Sequence, residues 1–195
     1  MDVNVILFDK FTSLDFIGPV EALQRIDEYE IRYLSENGGR ISNDEGLVID
    51  TDSIKSIIPW ILLVPGGFGT RQLVDDLSFI ADLKKVAEES KFCLTVCTGA
   101  ALLAKTGLLD GRKATSNKFA FQWVESVNPA VEWQSHARWV VDGKYYSSSG
   151  VSAGIDMALG FVRDQYGEEK AKIIAERMEY FWNSDSSLDP FAADM

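Results

Sequence analysis

Short continuous apolar runs recur along the chain and alternate with segments of helical spacing. Val3 to Phe8 (VNVILF), Trp60 to Val64 (WILLV) and Phe92 to Val96 (FCLTV) are too short for helices and have no polar face. They predict buried strands. Glu30 to Ser35 alternates and predicts a further strand. Arg40 to Asp50 holds two apolar pieces around Asn43-Asp44-Glu45-Gly46 and predicts a hairpin. A second hairpin is predicted where Ala137–Val141 and Lys144–Ser147 flank Asp142-Gly143. Leu108–Thr115 is expected to hold a turn and then a short strand, and Val131–Trp133 another short strand.

Helical spacing follows the first run, with Thr12 or Ser13 as N-cap. Gly18-Pro19 interrupts it, and proline is best tolerated in a first helical turn. The helix proper is therefore expected from about Ile17 to Ile26, with Leu14-Asp15-Phe16 as a lead-in. Further helices are predicted over residues 77–89, 98–105, 118–126, 151–166 and 168–182, with a short one over 53–58. The acidic tail from Asn183 to Met195 is expected on the surface or partly disordered. No repeat or linker divides the chain, so residues 1–195 read as one domain. Alternating strands and helices predict an α/β fold with a mainly parallel sheet and helices on both faces. Ligands of such sheets sit beyond the carboxyl ends of the strands. Phe8-Asp9, Val64-Pro65-Gly66-Gly67 and Val96-Cys97 are all predicted strand ends, which links them into one candidate site. Asp15 follows the first of them closely, between two apolar residues.

Cys97 sits in a very short turn between a strand and a helix. Such turns expose a nucleophile in strained backbone geometry, and Gly99 lets the helix pack close. The N-terminus of the following helix is expected to stabilise a thiolate there. Pro65-Gly66-Gly67-Phe68-Gly69 is either a tight turn or a nest of backbone N–H groups for an anion. It does not fit the dinucleotide or Walker fingerprints.

Composition removes several function classes. The net charge is −11 over 195 residues, with no basic run, which argues against nucleic acid. No apolar run approaches the roughly 20 residues of a membrane span. The N-terminus shows no basic region before an apolar segment, so the chain reads as cytoplasmic. Cys93 and Cys97 on one strand would lie about 13 Å apart, too far for a bridge. One histidine, His136, and no C-x-x-C pair make a metal site unexpected. Cys93, inside an apolar strand, is expected to be buried and inert.

Leu14-Asp15-Phe16-Ile17-Gly18-Pro19, Val64-Pro65-Gly66-Gly67, Val96-Cys97-Thr98-Gly99-Ala100 and Ser149-Gly150-Val151-Ser152-Ala153-Gly154-Ile155-Asp156 together resemble the ThiJ/PfpI superfamily. These are the flavodoxin-like, three-layer relatives of class I glutamine amidotransferases, and the resemblance covers nearly the whole chain. Within the superfamily the chain is most similar to isonitrile hydratases and to the amidase-like domains of AraC-type regulators. Those regulators carry a helix-turn-helix region for which this chain leaves no room.

The resemblance implies a Cys97 nucleophile and an Asp15 that contacts it. It also implies Thr98 beside the nucleophile, donors from Gly66, Gly67 and Thr98, and a homodimer. No cofactor is expected. Many relatives place a histidine after Ala114-Thr115, where this chain has Ser116-Asn117-Lys118. Asn117 cannot be a general base and is assigned to substrate binding. His136 lies on a different segment. Without a nearby histidine the protease or amidase reading weakens, since such enzymes need one to activate the thiol and protonate the amine. Hydration of a small isonitrile is the leading expectation, because no amine leaves. A hydrolase or glyoxalase-like enzyme, and a redox or ligand-binding module built on Cys97, are the other two readings.

Overall fold

The computed structural model describes residues 1–192. The strands are β1 (Asp2–Ile6), β2 (Glu30–Ser35), β3 (Gly39–Ser42), β4 (Val48–Ser53), β5 (Ile61–Val64), β6 (Phe92–Val96), β7 (Lys113–Ala114), β8 (Glu132–Trp133), β9 (Trp139–Asp142) and β10 (Tyr145–Ser148). The helices are α1 (Ser13–Leu23), α2 (Thr70–Leu73), α3 (Leu77–Glu89), α4 (Gly99–Lys105), α5 (Phe121–Val127), α6 (Ala153–Tyr166) and α7 (Glu168–Arg177).

Eight strands form one sheet in the order β3-β4-β2-β1-β5-β6-β10-β9. The strands from β4 to β10 in that order pair in parallel. The antiparallel strands β3 and β9 close the two edges. Strands β7 and β8 pair apart from this sheet. Val3, Val5, Ile61 to Val64 and Leu94 are fully buried. That explains the uninterrupted apolar runs: a parallel strand covered on both faces has no polar side. Helix α1 packs on α6 and α6 on α7, while α4 packs on α3 and α5. The result is the expected three-layer α/β arrangement. Both predicted hairpins form, β3–β4 and β9–β10.

Strand β1 lies between β2 and β5, so the chain moves to one side of β1 and then to the other. Such a switch point opens a crevice at the carboxyl ends of the strands. The segments leaving β1, β5 and β6 all emerge there.

Three elements depart from expectation. Helix α1 starts at Ser13, with Thr12 as N-cap, and it contains Pro19. Its lead-in is helical, which sets Asp15 in the first turn. Helix α7 ends at Arg177, and Glu179 takes a left-handed φ of 49°. The tail is docked as far as it is described, while residues 193–195 lie outside the described residues. Trp182 donates from its indole to the Asp156 carbonyl at 3.1 Å, and the Asn183 N–H donates to Asp156 Oδ1 at 3.0 Å. The Arg138 N–H donates to the Ser186 carbonyl at 2.9 Å. Asp189 and Ala192 are 1% exposed. A polar, acidic composition suggested a solvated tail, but buried tertiary partners override it.

Candidate active site

Cys97 leaves the end of β6 with φ of +57°. That region is sparsely occupied by residues other than glycine and costs roughly 1–3 kcal/mol. The strain is held in place from several sides. The Cys97 N–H donates to the carbonyls of Ser148 and Ser149, both at 3.2 Å. Its own carbonyl accepts from the Ser116 hydroxyl at 2.6 Å. Helix α4 starts two residues later, with Thr98 as N-cap. This is the short strand-to-helix turn that the sequence predicts.

Asp15 reaches the same place from the first turn of α1. It is fully buried. Its Oδ2 accepts the Gly66 N–H at 2.9 Å, while Oδ1 has no hydrogen-bond partner among the described residues. No cation pairs with it among those residues. Burial pushes the carboxyl from 3.8 up to about 7, against the downward pull of the Gly66 N–H and the Cys97 side chain. A carboxyl in that range is near half-protonated at neutral pH and serves as either acid or base.

Burial first, and the neighbouring Asp15 second, push Cys97 above its ordinary value, and the Thr98 N–H and hydroxyl pull only partly back. Cys97 is 7% exposed. Desolvation thus works against the helix N-terminus at this sulfur. Thiol and acid form a coupled pair.

The glycine turn after β5 locks the pair together. A Cβ on Gly66 would lie 2.6 Å from Thr98 N and 2.9 Å from Asp15 Oδ2, so only glycine fits between them. The Gly67 N–H donates to Thr98 Oγ1 at 3.1 Å, and the Thr70 hydroxyl lies 3.1 Å from that same oxygen. The N–H groups of Gly66 and Gly67, expected as donors to a substrate, are thus already spent on Asp15 and Thr98. They position the acid and the residue after the thiol. Thr98 N–H remains at the sulfur.

Asn117 lines the cleft above Cys97. Its Oδ1 accepts the Ala120 N–H at 3.1 Å, and Gly150 makes room for it, since a Cβ there would lie 1.9 Å from Asn117 Nδ2. Its Nδ2 makes no hydrogen bond among the described residues, so one donor stays available. His136 is exposed and lines a different cleft, with Trp133 and Val140. Cys93 is fully buried with a thiol raised to about 12.

The cleft over Cys97 holds about 380 Å³. That is at the small end of ligand pockets, which run from roughly 300 to 1,000 Å³. Phe68, Arg71, Phe119 and Val151 wall it, together with Thr12. None of these five is among the sequence-derived candidates. Phe68 and Arg71 were detectable in principle, because they immediately follow the Val64-Pro65-Gly66-Gly67 strand end. Phe119 had a weaker signal, next to Asn117 on a segment read as an amphipathic helix.

An α/β sandwich with a strained cysteine at one strand end and a buried acid from the neighbouring crossover defines a class of cysteine-elbow proteins. The chain belongs to the DJ-1/PfpI family, which matches it over residues 1–164. It is 25% identical to the isonitrile hydratase of Pseudomonas putida over 92% of this chain and 78% of that protein. It is 26% identical to the HTH-type transcriptional regulator GbdR of Pseudomonas aeruginosa over 91% of this chain, and it spans half of that regulator's length. A ThiJ/PfpI family protein from Pseudomonas syringae superposes with a TM-score of 0.80 at 25% identity, covering 100% of this chain and 78% of that one. Relatives of this fold thus include an enzyme and a regulator. No helix among the described residues is long and apolar enough to cross a membrane.

Proposed function

We propose that this protein hydrates a small isonitrile to an N-substituted formamide, with Cys97 as nucleophile and Asp15 as acid and base. The observation that carries the reading is the buried Asp15 carboxyl, raised to about 7, with one oxygen unpartnered beside the Cys97 side chain. Protonated Asp15 donates its proton to the terminal carbon of the isonitrile. The Cys97 sulfur bonds to that same carbon, and the thiol proton passes to the Asp15 carboxylate. The product is a thioimidate, and Asp15 is again an acid. Water then adds to the thioimidate carbon. Its oxygen becomes the formyl oxygen, one of its protons ends on nitrogen, the other returns to sulfur, and the carbon–sulfur bond breaks. Every proton moves through one carboxyl, so no histidine is required. The Thr98 N–H stabilises sulfur as it leaves, and Asn117 Nδ2 is a donor for the substrate nitrogen.

The same geometry disfavours an oxidation switch, which needs an accessible thiolate. The similarity to an isonitrile hydratase supports the chemistry, and the small cleft supports a small substrate. The test is formamide production from a simple alkyl isonitrile, wild type against Cys97→Ala. Turnover in the wild type that vanishes in the variant is expected. Full turnover in Cys97→Ala ends the proposal. No turnover in either leaves ligand binding without chemistry as the better reading, in line with the regulator similarity.

The protein is further expected to act as a homodimer. Leu14 and Ile17 of α1 are 42% and 43% exposed beside the site, and Phe119 is 99% exposed at its rim. Sedimentation at twice the chain mass is the expected result, and Ile17→Glu should shift it to one chain mass. A wild type that sediments as a monomer at micromolar concentration refutes this part.

A further inference from the structure

Among the described residues, Arg71 is the only charged side chain lining the cleft over Cys97. It stands on the short helix α2, directly after the glycine turn. Its guanidinium carbon lies 3.6 Å from the centroid of the Trp123 ring on α5. At that distance the guanidinium sits over the aromatic ring as a cation–π pair. The ring covers one side of the group and accepts none of its N–H donors into a conventional hydrogen bond. No carboxylate forms an ion pair with it among the described residues. No hydrogen bond from it to another group occurs among them either. A bland role is available, since the stack ties α2 to α5. That role explains the face of the guanidinium and not the unengaged fork at the wall of a site.

The other walls are apolar or neutral. Phe68 and Phe119 are 78% and 99% exposed, and Val151 and Ala120 add apolar surface. The chain carries a net charge of −11, so its overall field repels anions. A single free guanidinium in that setting marks where one negative charge is tolerated. Its planar fork matches a carboxylate in a bidentate pair, and the aromatic stack has already fixed its orientation.

The geometry points to Arg71 as the recognition group for a carboxylate carried by the substrate. The inference rests on the reading of the site as an isonitrile hydratase only for the reacting end of the molecule. The substrate class is then a small isonitrile acid: a terminal carbon over Cys97, a short apolar body between Phe68 and Phe119, and a carboxylate on Arg71.

The test measures binding, not turnover, so it stands apart from the chemistry. N-Formylglycine and 4-formamidobenzoate are the formamide products such substrates would give. Each is titrated calorimetrically against its uncharged primary amide, in wild type, Arg71→Met and Arg71→Lys. At least one acid should bind about tenfold or more tighter than its amide in the wild type, as a charge-assisted pair implies. The acid-to-amide ratio should fall to about one in Arg71→Met, and Arg71→Lys should keep part of it. Equal binding of acid and amide in the wild type overturns the inference, with no variant needed. So does a preference that survives in Arg71→Met, or no binding of either acid. A kept preference with no isonitrile turnover overturns the hydratase reading alone. Turnover of neutral isonitriles with no acid preference overturns the carboxylate inference alone.

Discussion

Asp15 and Asp156 are both fully buried in first helical turns, of α1 and of α6, and their surroundings could hardly differ more. Asp156, in the first turn of α6, meets Arg138 twice, from Nε at 2.7 Å and from Nη2 at 2.6 Å. The Tyr180 hydroxyl at 3.1 Å and the Asn183 N–H at 3.0 Å complete its shell. Asp15 has one backbone N–H and an unpartnered oxygen. Burial raises both carboxyls, but only Asp156 has a cation to oppose it. A satisfied buried carboxylate is a tether: it fixes β9 and the tail to α6. An unsatisfied one costs stability, and in a cleft it marks a candidate functional group.

That contrast is broken most forcibly at the tether. Asp156→Ala removes both short contacts to the buried Arg138 and leaves it only the longer 3.7 Å pairing with Asp189, and it should cost about 3–5 kcal/mol. Chemical denaturation reads the loss, and the tail from Asn183 onward should become protease-sensitive. A loss under about 1 kcal/mol would mean that the pair is not the anchor described here.

A smaller and opposite effect is expected at Asp15. Below its ordinary value of 3.8 the carboxyl is neutral in both the folded and the unfolded chain. Between there and about 7 the unfolded chain ionises and the folded one does not, so stability falls as pH rises. Above that window the cost is complete. Asp15→Asn cannot ionise, and it keeps an acceptor for the Gly66 N–H. Relative to wild type it should gain about 1–3 kcal/mol between pH 4 and pH 8. Thermal melts of both proteins across that range check the sign, and a variant that loses ground as pH rises refutes it.

Much of the architecture could be read from residue patterns alone. The runs at Val3, Ile61 and Phe92 announce β1, β5 and β6 because two-sided burial removes polar residues from them. Asp142-Gly143 announces its hairpin because Gly143 takes a φ of +61°. Convergence of Asp15, Gly66 and Cys97 follows from where those strands end. The rest depends on groups distant in sequence. Helix α2 is four residues long and has no periodicity to detect. The docked tail relies on Arg138 and Asp156, which its own composition cannot reveal. The burial that pushes the Cys97 thiol up comes from groups distant in sequence, while the local pattern shows only the helix N-terminus, which pulls the other way. Gly66 and Gly67 were seen as donors, but the groups that use up those donors lie 31 and 51 residues away in sequence.

The most direct test of the account is the pH dependence of formamide production in wild type and in Asp15→Asn. The account predicts wild-type turnover that declines as pH rises through about 7, where Asp15 loses its proton. It also predicts an Asp15→Asn variant slowed by about 10²–10⁴-fold, as expected for loss of a general acid. Wild-type turnover that stays constant or rises from pH 6 to pH 9, or a variant that keeps wild-type rates, would contradict it.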